Sequence, residues 1–190
     1  LDIDPEGARK YLKEEDREIK RFIGMRYKKR YLESLGANFV FNTDFTEVEK
    51  GLFLTGEVPR QTNFEKADPR LFSEMDGAMT NDFFLDDQSL ILDTDKGIVL
   101  ILGCAHSGMI NIINHVINRM GKEKFYAILG GTHLDFLTPE QLEESIKSLK
   151  RMEIGKIGVS HCTGMRAAFR LHQEFGDRFF YGCVGSVLDV

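Results

Sequence analysis

The spacing of apolar positions changes character near residue 86. Before it, residues 5–35 run charged, with Tyr, Ile, Phe and Leu recurring through KYLKEEDREIKRFIGMRYKKRYLESL. With Pro5 near the start and Gly36 at the end, this pattern predicts one helix, or two shorter ones divided at Gly24. The alternating acidic and basic residues then form its solvated face. NFVFNT and GLFLTGEV follow as strand-like pieces, the second stopped by Pro59. Residues 60–82 (RQTNFEKADPRLFSEMDGAMTND) are polar and show no period, which predicts a functional loop or lid.

Beyond residue 86, DDQSLILDTDKGIVLILG predicts two strands around Thr94-Asp95-Lys96-Gly97, where Gly97 tolerates a positive φ. Three strand–helix units come next. IVLILG leads into SGMINIINHVINRMG, FYAILGG into a helix opened by Thr138-Pro139-Glu140-Gln141, and KIGVS into GMRAAFRLHQEFG. Thr138 as cap, Pro139 at the first helical position and Gln141 three residues after the cap define the start of the middle helix. FFYGCVGSVLDV predicts a closing strand. Helical crossovers require the strands they join to run parallel.

The 190 residues are 42% apolar and 29% charged, enough for one sizeable soluble domain. No apolar run approaches the roughly 20 residues of a membrane span, and no signal-peptide pattern opens the chain. A net charge of −5 argues against a nucleic-acid-binding surface. Three cysteines, Cys104, Cys162 and Cys183, are too few for a disulfide framework and point to reduced thiols in a cytoplasmic protein. The chain begins at Leu1 rather than Met, and no obvious element follows it. A cleaved, truncated or partial protein is the expectation.

Three of the five histidines share one placement. His106 follows IVLILGCA, His133 follows FYAILGGT and His161 follows IGKIGVS, at intervals of 27 and 28 residues, one strand–helix unit each. Parallel strands would deliver all three to the carboxyl edge of the sheet, where open α/β sheets bind ligands. Three neutral imidazoles converging there suit a divalent metal, zinc first, with manganese or iron as alternatives. His115 and His172 lie within predicted helices and are expected to be surface or partly packed residues.

The residues after each histidine add a second expectation. Ser107-Gly108 and Thr163-Gly164 precede helix N-termini, where backbone N–H groups and the helix dipole favour a substrate phosphate or carboxylate. The same residues could instead simply cap their helices. A closed structural zinc site of Cys104, His106, His161 and Cys162 is a competing arrangement. Against it, an extended strand would turn Cys162 away from His161, and the paired spacing of structural zinc sites is missing. Asp86, Asp87, Asp135, Glu57 and Arg60 are further candidates to face the site.

The order LTGEVPR, DDQSLIL, GCAHSGMIN, GGTHL and SHCTG resembles the carboxyl-terminal two thirds of a branch of the metallo-β-lactamase-fold superfamily. That branch is named for its likeness to the dihydropterin–ribofuranosylaminobenzene-phosphate synthase of methanopterin biosynthesis. The resemblance runs from about Gly51 to Val190. It implies an α/β (α+β) fold: a four-layer αββα sandwich of two mixed sheets with the amino-terminal third missing. The 190 residues would then form a single partial domain, with 1–50 as a helical segment and first strand. The resemblance assigns metal-ligand roles to His106 and His161. The family's usual bridging Asp has no counterpart at the end of Gly130-Gly131-Thr132-His133, so His133 would replace it or contact substrate. The family's His-x-His-x-Asp-His motif occurs nowhere in the chain; the expectation is that it lies upstream.

Together these readings point to a metal-dependent hydrolase or transferase acting on an anionic small molecule, by phosphoester hydrolysis or a pterin-linked condensation. Phe64, Phe72, Phe83 and Phe84 could offer an aromatic surface to such a substrate, or could belong to the core. The rival is a non-catalytic ligand- or partner-binding protein with a degenerate metal site.

Overall fold

The strand–helix alternation expected after residue 86 is present in the computed structural model, which describes residues 9–13 and 20–190. In chain order the first elements are β1 (Arg9–Lys13), β2 (Lys20–Phe22), α1 (Lys29–Ser34), β3 (Thr46–Glu49) and β4 (Leu52–Leu54). Two hairpins follow, β5 (Leu71–Met75) with β6 (Ala78–Asn81) and β7 (Leu90–Thr94) with β8 (Gly97–Leu102). Then come α2 (Met109–Met120), β9 (Phe125–Gly131), α3 (Pro139–Leu149), β10 (Ile154–Ser160), α4 (Met165–Phe175) and β11 (Phe179–Tyr181).

Contacts divide the chain into two compact units. One comprises Leu1–Asn42 and Ala67–Phe84; the other comprises Thr43–Lys66 and Leu85–Val190. The first unit contains an antiparallel sheet in the order β2-β1-β5-β6. The second contains a seven-stranded sheet in the order β11-β10-β9-β8-β7-β4-β3. That sheet is mixed: β8 to β11 pair in parallel, and β8, β7, β4 and β3 pair antiparallel. The α+β class is as expected, and the described strands of the smaller sheet pair antiparallel.

Successive neighbours β8, β9, β10 and β11 are joined by α2, α3 and α4. Right-handed crossovers therefore lay all three helices on one face. Their apolar stripes meet that face in a single core. Ile98, Leu100 and Leu102 of β8 and Ile128 of β9 pack there with Ile112, Ile113 and Val116 of α2 and Leu171 of α4. Thr138 caps α3 as predicted, its hydroxyl accepting from the Gln141 amide at 3.3 Å. No helix among the described residues is long and apolar enough to cross a membrane.

The elements before residue 86 differ from the expectation. Among the described residues of 5–35, β1 and β2 stand in place of the predicted helix, and only Lys29–Ser34 is helical. Pro5 lies outside the described residues. The reason is tertiary: Tyr11 and Leu12 pair with Phe72 and Leu71 of β5, and the Tyr11 hydroxyl donates to Glu74 at 2.9 Å. Ladder hydrogen bonds made to a distant strand outweigh the local helix preference of Lys and Glu. The predicted loop over 60–82 contains the β5–β6 hairpin. Its two-residue turn, Asp76-Gly77, has φ of 52° and 78°, the left-handed pair that a tight hairpin requires. NFVFNT forms no strand, and its Val40 and Phe41 are exposed.

Candidate metal centre

Each parallel strand of the second unit ends in a turn that carries one of the three histidines. β8 stops at Leu102, and Ala105 takes φ 55° to swing His106 out before α2 begins. β9 stops at Gly131, and His133 itself has φ 53°. β10 stops at Ser160, and His161 has φ 52° at the head of a three-residue 3-10 turn, His161–Thr163. A left-handed conformation in a residue with a Cβ costs about 1–2 kcal/mol, so each turn is held by its surroundings. The three turns lie side by side at the carboxyl edge, as the sequence intervals imply.

His106 and His133 come together there, their ring centroids 4.4 Å apart, and Phe136 packs on His133 at 5.1 Å. His133 is buried, whereas His161 is exposed. The His161 ring points to the first turn instead, with Nε2 3.1 Å from Cys104 Sγ. Cys162 points the same way, its Sγ 3.5 Å from the Cys104 carbonyl oxygen. The extended-strand argument against Cys162 therefore fails, because the 3-10 turn carries two consecutive side chains to one side. Cys104 Sγ, Cys162 Sγ and a His161 ring nitrogen all lie within 4.8 Å of one another.

The two thiols titrate as a pair. Hydrogen bonding from Cys162, then to His106, pulls the Cys104 thiol down to about 3 against the opposing effect of burial. The same Cys104 partner, followed by burial, pushes the Cys162 thiol up.

At α2 the N-terminal donors expected for a substrate anion already have internal partners. The buried Glu65 carboxylate reaches the first turn of α2, accepting from the Ile110 and Asn111 amides, both at 2.8 Å, and from the Thr62 hydroxyl at 3.1 Å. Asp87 accepts from the Ser107 amide at 2.9 Å. A Cβ at Gly108, where φ is 96°, would collide with the Glu65 carboxylate, so Gly108 is what admits that carboxylate. The same logic holds at α4: Gly164 has φ 73°, and a Cβ there would collide with the Asp135 carboxyl group. Thr163 is fully buried and accepts from the Thr132 amide and hydroxyl at 3.2 and 3.0 Å. Ser107, Gly108, Thr163 and Gly164 therefore shape the turns. At α2 the protein's own Glu65 takes the helix-terminal position, while at α4 Asp135 lies against Gly164 and pairs with the Arg166 side chain at 2.9 Å.

Glu65 belongs to a clamp that the sequence did not reveal. Arg60 donates to the His106 carbonyl at 2.6 Å. Asn111 accepts from the Gln61 and Thr62 amides at 2.9 and 2.8 Å and donates to the Ser107 carbonyl at 2.9 Å. Residues 60–65 thus grip the His106 turn from both ends. Burial pushes the Glu65 and Asp87 carboxyls up, and hydrogen bonds from the α2 turn oppose the shift. The one available signal was Thr62-x-x-Glu65, which has capping-box spacing but precedes no helix of its own.

The remaining candidates lie elsewhere. His115 meets the Thr55 carbonyl at 3.1 Å and the Phe45 ring at 5.9 Å, and His172 packs on Phe179. Glu57 and Cys183 are exposed. Phe64 packs against the core, and Phe83 is exposed.

No family model matches the chain. Over 151 residues it is 32% identical to the 7,8-dihydropterin-6-methyl-4-(beta-D-ribofuranosyl)-aminobenzene-5'-phosphate synthase of Methanocaldococcus jannaschii, covering 78% of this chain and 51% of that one. Over 177 residues it is 31% identical to an uncharacterized protein of the same organism, covering 92% of this chain and 60% of that one. The chain thus spans between half and three fifths of the length of these relatives. It also superposes on the crystal structure of a metal-dependent hydrolase of the beta-lactamase superfamily, with a TM-score of 0.78 and 28% identity, covering 96% of this chain and 67% of that one.

Proposed function

The chain belongs to the metallo-β-lactamase-fold superfamily, in the branch that resembles the dihydropterin–ribofuranosylaminobenzene-phosphate synthase, and on that footing we propose that it is part of a metal-dependent enzyme. The reaction is hydrolysis or group transfer on an anionic small molecule, a phosphoester or a pterin-linked substrate. The observation that carries this reading is the arrival of His106, His133 and His161 on three adjacent turns, each held in left-handed backbone. The nitrogen and sulfur donors of these turns suit zinc and similar divalent ions.

His106 and His161 are the ligands in this proposal, with His133 beside His106 as a third ligand or a substrate contact. These residues would hold a divalent ion, which when bound would supply an acidified water, of pKa about 7, and polarisation of the reacting centre. Arg60, Asp87 and Glu65 hold the His106 turn so that its ring keeps one position. His161, exposed, stands on the side from which substrate enters. Because Glu65 occupies the helix-terminal position of α2, Ser107 and Gly108 serve the substrate through the shape of their turn, and Thr163 and Gly164 stand at the open end of α4.

Metal analysis and phosphodiesterase assay of the protein that carries this chain, with bis(p-nitrophenyl) phosphate as probe, test the proposal. Bound divalent metal and activity are expected, with both lost together in His106→Ala and His161→Ala. A folded protein with neither metal nor activity would overturn the enzyme reading in favour of a non-catalytic binding protein.

A further inference from the structure

We propose that Cys104, Cys162 and His161 form an open thiolate–imidazole site for a thiophilic divalent cation of the zinc and cobalt(II) class. The inference extends the donor set beyond the three histidines and rests on the metal-dependent reading only for the presence of a divalent ion.

Three observations carry it. The three donor atoms already lie within 4.8 Å of one another, with Cys104 Sγ and His161 Nε2 at 3.1 Å. Metal–sulfur bonds of about 2.3 Å and metal–nitrogen bonds of about 2.0 Å give tetrahedral sulfur–nitrogen and sulfur–sulfur separations of roughly 3.5–3.8 Å, so an ion could enter with small side-chain adjustments. Second, the backbone is shaped to bring these donors together. The left-handed φ of His161 opens the turn that faces His161 and Cys162 the same way, and Ala105 ends the strand direction just after Cys104.

Third, the neighbouring turn leaves room for the sulfur. A Cβ at Gly131 would come within 2.9 Å of Cys162 Sγ and 2.5 Å of the Gly103 carbonyl oxygen, so only glycine lets Cys162 sit against the end of β9. The half-buried thiols form the closed side and exposed His161 the open one. Three protein donors leave the fourth tetrahedral position for water or substrate, the arrangement of a catalytic rather than a structural zinc site.

Cobalt(II) reconstitution of the purified, reduced protein tests this directly, because thiolate ligation to cobalt(II) produces an intense near-ultraviolet charge-transfer absorption that imidazole and carboxylate ligation do not. The wild-type protein is expected to show this band. Cys104→Ser and Cys162→Ser should each lose roughly half of its intensity, as expected for one of two sulfur ligands, and Cys183→Ser should keep all of it. Circular dichroism of each variant reports folding, and the wild-type spectrum decides the matter even if a variant fails to fold. Stoichiometric cobalt bound without the band would overturn the thiolate site and leave the histidine-based proposal standing. Failure to bind cobalt or zinc at all would sink both. A Cys104–Cys162 disulfide in protein isolated without added oxidant would also overturn the inference.

Discussion

Glu65 does more for the His106 turn than any residue the sequence singled out. It is 2% exposed, carries three hydrogen bonds, and satisfies two amides that the first turn of α2 would otherwise leave unpaired. Glu65→Ala should cost about 2–3 kcal/mol, the consequence of leaving buried donors without an acceptor, and urea unfolding measures it. The pH dependence has a definite sign. Burial raises the Glu65 carboxyl above its ordinary 4.5, so the native state holds its proton more tightly than the unfolded chain. Its contribution is greatest below that ordinary value and declines as pH rises through the raised one. The stability of the wild type relative to Glu65→Gln should therefore fall as pH climbs from about 4.5 toward neutrality; a constant difference across that range would contradict the assignment. The histidines were legible because each follows an apolar strand by a fixed interval. Glu65 was not, because its partners Ile110 and Asn111 lie 45 and 46 residues away.

Among the elements, legibility tracks how locally each one is decided. The units from β8 to α4 combine a continuous apolar run, a helix start and a helical stripe, so every cue lies within about 30 residues. β1 is charged and built of helix formers, and it is a strand only because β5 lies beside it. The β5–β6 hairpin did announce itself through Asp76-Gly77, but the polar residues around it hid the alternation. The α3–α4 contact is settled at the surface. Arg170 donates to both Glu143 oxygens at 2.8 Å and also binds Glu174, which Lys150 reaches at 2.8 Å. Lys150 first, then Arg170, holds the Glu174 carboxyl below its ordinary 4.5. This contribution is present above that value and is lost as pH falls through the lowered one. Arg170→Ala should therefore make thermal stability less sensitive to acid and to added salt, which melts at low and neutral pH and two ionic strengths would show.

On the scale of the molecule, the proposed site lies where the mixed sheet is parallel, and the antiparallel strands β7, β4 and β3 extend that sheet away from it. The family resemblance supplied the fold class. Within the smaller sheet the Asp76-Gly77 turn fixes the direction of β6 against β5 locally, whereas no local cue sets the pairing of β1 with β5, about 60 residues apart in sequence. A site assembled from three separate turns exists only in the folded chain, so metal should act as a stabilising ligand. At about 100 times its dissociation constant, an ion bound only by the native state adds about 2.7 kcal/mol. Melting temperature should accordingly rise on zinc addition and fall back with chelator, and His161→Ala, which removes the donor common to both proposed sites, should abolish the difference. A melt indifferent to metal in the wild type would contradict the proposed centre.

The grip of residues 60–65 on the His106 turn also bears on the order in which the protein assembles. The strand–helix units that carry the histidines close over short stretches of chain and can form early. The clamp must wait for a segment 45 residues upstream to dock against α2, a contact whose loop-closure entropy makes it late. Successive histidine turns close 27 and 28 residues of chain against 45 for the clamp, so the expected order is that the turns meet first and the clamp fixes His106 after them. Native-state hydrogen exchange at Ile110 and Asn111 would show this as opening before the core.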